Sequence, residues 1–180
     1  MKRCKWVNLN NSSYIDYHDF EWGVPTHNDR YLFEMLVLEM FQAGLSWECV
    51  LNKRDAFKLA LDNFDYEKIS MYDDIKILEL LNNKEIIRNK LKIKAMIKNA
   101  KIFIDIQNKY HSFDNYIWSY TNNRVIKNKD DNLKTTSELS QKISQDLYNM
   151  GMRFVGSTII YSYLQAIGII DDHELSCFKY

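Results

Sequence analysis

Apolar residues recur at helical spacing through most of this chain, and alternating strand patterns are scarce. The strongest stripe lies at residues 92–108, where Ile93, Met96, Ile97, Ala100, Phe103 and Ile104 share one face of an amphipathic helix. A second long helix is predicted from Asp29 to Ala43, ended by Gly44. Ser46 is placed to cap a helix reaching Ala60, and Asp65 and Asp73 to cap two shorter ones. A short helix at residues 14–21 is stopped by Gly23-Val24-Pro25. Three more are predicted at residues 113–120, at Glu138–Asn149 before Gly151, and at Ser157–Ile167 before Gly168. The polar stretch Thr121–Thr136 reads as the longest loop. No repeat or linker interrupts the pattern, which predicts an all-α fold in one globular domain, 1–180, with room for two helical lobes.

One helix breaks its own pattern. At about 100° per residue, Leu32, Met35, Leu36 and Ala43 fall in one arc of the Asp29–Ala43 helix, and Glu39 falls inside that arc. Glu34 points the other way. A carboxylate on an apolar stripe is costly to bury unless something pairs with it. Glu39 therefore either bonds a buried Arg, Tyr or backbone group or sits on a helix at an edge, or it lines a cavity as a ligand or catalytic carboxylate. Trp6, Tyr14, Tyr17, Trp22 and Trp47 crowd the same part of the chain. Singly each suits core packing. Together they suit a pocket that stacks a flat ring.

Composition narrows the classes. The 24 basic residues balance the 24 acidic ones, so net charge gives no warrant for nucleic-acid binding; any such contact needs a local patch or neutral groups. The N-terminal Met-Lys-Arg-Cys-Lys-Trp stretch has no apolar signal core, and no apolar run approaches membrane-spanning length. The chain reads as soluble and cytoplasmic, without a membrane partner and with reduced thiols. Three cysteines argue against a disulfide framework.

Four residues at the two ends form a Cys₂His₂ set, the ligand mix of closed tetrahedral zinc sites: Cys4, His18, His173 and Cys177. His173 and Cys177 share a face if their segment is helical. The alternative is two free buried cysteines and two surface histidines. Cys49, without a His partner, reads as core, and His27 and His111 as loop or surface residues.

Several ordered segments together resemble bacterial 3-methyladenine DNA glycosylase I. They include Arg3-Cys4-Lys5-Trp6, Tyr17-His18-Asp19, Glu21-Trp22-Gly23-Val24-Pro25, Leu38-Glu39, Gln42-Ala43-Gly44-Leu45-Ser46-Trp47, Phe154-Val155-Gly156-Ser157-Thr158, Tyr161-Ser162 and Asp172-His173. The resemblance covers nearly the whole chain. It implies the helix-hairpin-helix superfamily and a hydrolytic N-glycosylase that flips and releases 3-methyladenine from alkylated double-stranded DNA in base excision repair. It implies one structural zinc on Cys4, His18, His173 and Cys177. It places Glu39, selected for recognition and electrostatics, with Tyr17 and Trp47 in the base pocket and Ser162 near the base; Trp6 joins that aromatic wall. Gly44 and Leu45 match the turn that enters the DNA stack. The hairpin is expected at Glu85–Lys92, with Arg88, Lys90 and Lys92 supplying charge for phosphates, although Glu85 and Leu91 stand where the family usually has glycine. The enzyme is expected to act as a monomer, with free 3-methyladenine as product. A lesion-binding protein without turnover, or a zinc-stapled module acting through protein partners, would share parts of this pattern.

Overall fold

The computed structural model describes residues 1–129 and 134–180. It contains ten α-helices among those residues: α1 (Ser12–Phe20), α2 (Asp29–Gln42), α3 (Trp47–Leu51), α4 (Arg54–Ala60), α5 (Tyr66–Ser70), α6 (Asp74–Asn82), α7 (Lys90–Tyr110), α8 (Phe113–Ser119), α9 (Glu138–Asn149) and α10 (Ser157–Ala166). Side-chain caps start most of them, as local chemistry dictates. Asn28 accepts from the Tyr31 N–H, Ser46 from Cys49, Asp65 from Glu67 and Lys68, Asp73 from Lys76, and Asn89 from Leu91 and Lys92. α7 ends at His111, which takes the left-handed conformation (φ +71°) usual for a helix stop.

Two expectations change. The single helix predicted from Ser46 to Ala60 is broken at Asn52-Lys53 into α3 and α4. The break lets Arg54, at the start of α4, reach back to both Glu21 and Glu34, while Phe57 still enters the core. The polar loop is also not all loop. Ile126–Lys127 (β1) pairs in parallel with Ile170–Asp171 (β2), a two-residue ladder too short to show in a hydrophobic pattern. Residues 130–133 of the predicted loop lie outside the described residues.

The core forms around α2, buried without a break from Leu32 to Phe41. α7 lies against α2, α5, α6 and α8, and α10 packs on α2 and α9. Phe33, Phe103 and Phe113 make the aromatic centre, with Phe103 stacked on Phe113 at 4.1 Å between centroids. Because α2 is enclosed on every side, both its glutamates are buried, including Glu34. Glu34 is neutralised: Arg54 Nε donates to its Oε1 at 2.7 Å.

The end of α10 is locked against the turn after α1. Gly23 N–H donates to Gln165 O and Thr26 N–H to Ile167 O. Gly168 sits between them at φ +76°, and a Cβ there would lie 2.3 Å from Pro25 N and Val24 C. Those atoms are backbone and cannot swing aside. Gly168→Ala is expected to cost on the order of 3 kcal/mol, read as a lowered midpoint in urea with little change of slope.

Candidate active site

The pocket begins with Glu39. It lies one turn from the C-terminal end of α2, on the side facing α1, α3 and α10, and is 3% exposed. Its Oε2 is buried without a hydrogen-bond partner among the described residues. Burial alone pushes its carboxyl up to about 8. Of the two readings the pattern allowed, this placement matches the cavity-lining carboxylate and not the paired one.

Above Glu39 opens a cavity of about 300 Å³. Tyr17 from α1, Trp47 from α3 and Ser162 from α10 line it, as do Trp6, Tyr14 and Trp22. The expected pocket residues, Trp6 among them, are therefore brought together from five separate segments. The Tyr17 and Trp47 rings lie 5.1 Å apart and tilted by 50°. Trp47 Nε1 is a second buried polar atom without a partner among the described residues. Burial first, and then the nearby Glu39, raise the Tyr17 phenol, so it stays neutral.

Sequence reasoning did not assign the polar remainder of the lining: Gln42, Gln165, Asp172, Lys134 and Thr135. Gln42 stands three residues after Glu39, and Gln165 three after Ser162. Helical spacing alone could have placed each beside its neighbour. Asp172 Oδ2 accepts from the Tyr161 hydroxyl at 2.6 Å and from Gln165 Nε2 at 2.7 Å, which ties α10 to the segment after β2.

Behind this wall the two chain ends meet. The ligand atoms of Cys4, His18 and Cys177 all lie within 4.8 Å of one another and are buried. Cys177 Sγ is 3.5 Å from His18 Nε2, a spacing that suits two ligands of one tetrahedral zinc, whose bonds run about 2.0–2.3 Å. His173 stands beside them, its ring 5.3 Å from that of His18. Its Nε2 is buried with no partner among the described residues, while its Nδ1 lies 2.6 Å from Asp171 Oδ1. His18 has the same carboxylate support, with Nδ1 2.7 Å from Asp19 Oδ1, while its Nε2 accepts from the Cys4 N–H at 3.4 Å. A carboxylate on one ring nitrogen and a free second nitrogen is the form in which histidine binds metals. Burial lowers both imidazoles, which keeps them in the neutral, ligating state, and pushes the Cys4 thiol up to about 12. Cys4, His18 and Cys177 together could hold a metal ion. Cys49, by contrast, is half-buried rather than core, and the exposed His27 meets Asp114 at 2.8 Å.

The ends connect to the pocket through rings. Trp22 packs edge-on against His173 at 4.7 Å and against Trp6 at 4.8 Å, and Trp6 meets His18 and Tyr14 at 5.4 Å. Gly23 permits this approach, since a Cβ there would lie 2.8 Å from His173 Cε1.

Residues 6–180 match the methyladenine glycosylase family. The chain belongs to that family. It is 39% identical to the DNA-3-methyladenine glycosylase of Haemophilus influenzae, over 97% of this chain and 96% of that one. It superposes with a TM-score of 0.94 on a crystal structure of a 3-methyladenine DNA glycosylase I, at 38% identity and 98% coverage of both chains. A 3-methyladenine DNA glycosylase I variant in complex with 3-methyladenine gives the same TM-score at 29% identity, covering 99% and 97% of the two chains.

In this methyladenine glycosylase the residues expected to face DNA divide into two groups. Gly44 (φ +81°) and Leu45, 42% exposed, form the turn between Gln42 and Trp47 at the pocket rim. Arg88 and Lys90 are exposed at the start of α7. Lys92 corrects the expectation placed on it. Its ammonium is buried and donates to Phe41 O at 2.8 Å and Ala43 O at 2.6 Å, so it faces the end of α2 and not solvent. In the expected hairpin segment Ile86 is buried, and Lys53 Nζ donates to Glu85 O. No helix among the described residues is long and apolar enough to cross a membrane.

Proposed function

We propose that this chain hydrolytically releases 3-methyladenine from alkylated double-stranded DNA, opening base excision repair, and that Glu39 recognises the cationic base. The observation that carries the reading is a buried carboxylate without a partner among the described residues, in an aromatic pocket, on a chain matched end to end by glycosylases of this kind.

Methylation at N3 leaves the adenine ring cationic and weakens its bond to deoxyribose. The base is turned out of the duplex into the pocket, as chemistry on a stacked base requires. An ionised Glu39 accepts hydrogen bonds from the base edge and favours the cation over neutral adenine. Tyr17 and Trp47 offer ring faces that attract a cationic ring more than a neutral one. Trp6 backs that wall, and Ser162 contributes a hydroxyl close to the base. The glycosidic bond then breaks with its electron pair passing to the ring. The charge moves to the sugar carbon, water adds there, and a proton is lost to solvent. No residue is assigned as general base. Gly44 and Leu45 fill the gap beside the flipped nucleotide, and Arg88 and Lys90 meet phosphates. One zinc held by Cys4, His18, His173 and Cys177 serves as a structural clamp, since four protein ligands leave no open position for an activated water. The enzyme acts as a monomer.

Free 3-methyladenine released from methylated DNA is the direct readout; none above a heat-inactivated control ends this reading. The pH profile is a finer one. With its carboxyl raised to about 8, Glu39 is largely protonated in the free enzyme at neutral pH. For a cationic lesion kcat/KM should therefore climb with pH and level off above about 8. Stability runs the other way. The folded state holds this proton more tightly than the unfolded chain, so the contribution of Glu39 is most favourable below its ordinary 4.5 and is lost as pH rises through about 8.

A further inference from the structure

We infer that Lys92 is a positioning residue that joins the rim of the base pocket to the start of α7, so that excision from DNA depends on it and capture of free base does not. The inference rests on the functional reading above.

Lys92 lies in the first turn of α7, between exposed neighbours Lys90 and Lys94, yet is 5% exposed itself. A lysine is seldom buried without an acidic partner. Its acceptors here are neutral carbonyls, Phe41 O and Ala43 O, where α2 runs out. Those carbonyls have no partner within their own helix, and the helix dipole makes its end negative. α2 carries no basic residue in its last turn, so Lys92 supplies the missing cation from another element.

What it holds is the rim. At Ala43 (φ −48°, ψ 114°) the chain leaves the helix, and Gly44 turns it at φ +81°. Leu45 N–H closes the turn on Gln42 O at 2.7 Å. Gln42 before the turn and Trp47 after it both line the pocket. The other end of the tie is equally fixed, because the Asn89 side chain accepts from the N–H groups of Leu91 and Lys92. One buried ammonium thus sets the spacing between the Gly44-Leu45 turn and the exposed Arg88 and Lys90. A duplex touching both must fit that spacing. A free base touches neither. Tyr17 sits on α1 and Glu39 a turn deeper in α2, while α3, which carries Trp47, has its own Ser46 cap.

Lys92→Met keeps the stem and removes the charge and its donors. A rim displaced by about an ångström costs on the order of 100-fold in a positioned reaction, and that fall is expected in kcat/KM for 3-methyladenine release from DNA. The Kd for free 3-methyladenine, followed by tryptophan fluorescence, should stay within about twofold of wild type if the pocket itself is undisturbed. Equal losses in both readouts, or loss in neither, overturn the inference and leave Lys92 as a structural cap. Should K92M fail to fold, K92A assayed with and without propylammonium takes its place. Amine-dependent base release supports the tie, and release unaffected by amine overturns it. Absence of release by the wild-type chain would end the functional reading and this inference together, whereas wild-type release matched by K92M ends this inference alone.

Discussion

Glu39→Gln is expected to lower kcat/KM on alkylated DNA by about 10²–10³-fold, the scale of removing one preorganised electrostatic group from an active site. The same change should leave the fold intact and raise stability at neutral and alkaline pH. The two effects have opposite signs for one reason. Gln matches Glu in shape, and Oε2 has no partner to lose among the described residues. What disappears is a carboxyl that burial has pushed up to about 8. Folding is relieved of it, and catalysis is deprived of it. The rise of kcat/KM toward pH 8 should vanish in the same variant. Glu34 provides the control on the same helix. It is buried too, but Arg54 pairs with it, so Glu34→Gln should lose stability and spare base release. Full activity in the Glu39→Gln enzyme would remove the carboxylate from this account of the pocket.

Cys4→Ala carries the second large effect. It should strip bound zinc and lower stability on the order of 5 kcal/mol, the scale the chain-entropy picture gives for a cross-link between distant residues. Metal per chain and the melting temperature measure it; a chelator should reproduce it in the wild type. The reason is geometric. Cys4, His18 and Cys177 converge from the two ends of the chain, and the orphaned Nε2 of His173 stands beside them. Without a metal, His173 Nε2 is a buried polar atom with no partner among the described residues, and two buried thiols remain beside it. Base preference should be unchanged as long as the variant stays folded. A stable, zinc-loaded variant with altered preference would contradict a purely structural clamp.

Much of this was legible in the residues. The helices announced themselves through caps such as Ser46, Asp65 and Asp73 and through the stripe from Ile93 to Phe103. These are local signals, set within a turn or two. Glu39 was legible because it broke such a stripe. The burial of Glu34 was not legible for the complementary reason: a periodic pattern assumes that one face of a helix is wet, and α2 is buried without a break from Leu32 to Phe41. The break at Asn52-Lys53 depends on where Arg54 must reach, a long-range demand that no local window contains. Lys92 failed for the same cause. Within its helix it sits among surface lysines, and only the end of α2 explains why it turns inward. Asp172 and Lys134 entered the pocket lining through tertiary neighbours that a linear pattern does not display.

The unpartnered carboxylate has a further consequence, for turnover. In the role proposed for Glu39, the methylated ring of the intact nucleotide serves as its counter-ion. When the glycosidic bond breaks, the departing ring takes the electron pair and becomes neutral. The attraction that selected the lesion is cancelled by the reaction it leads to. Glu39 is then again a desolvated carboxyl that favours its proton over an empty charge. The pocket thus grips the damaged nucleotide through a charge that the product no longer has, and loosens on the free base once excision is done.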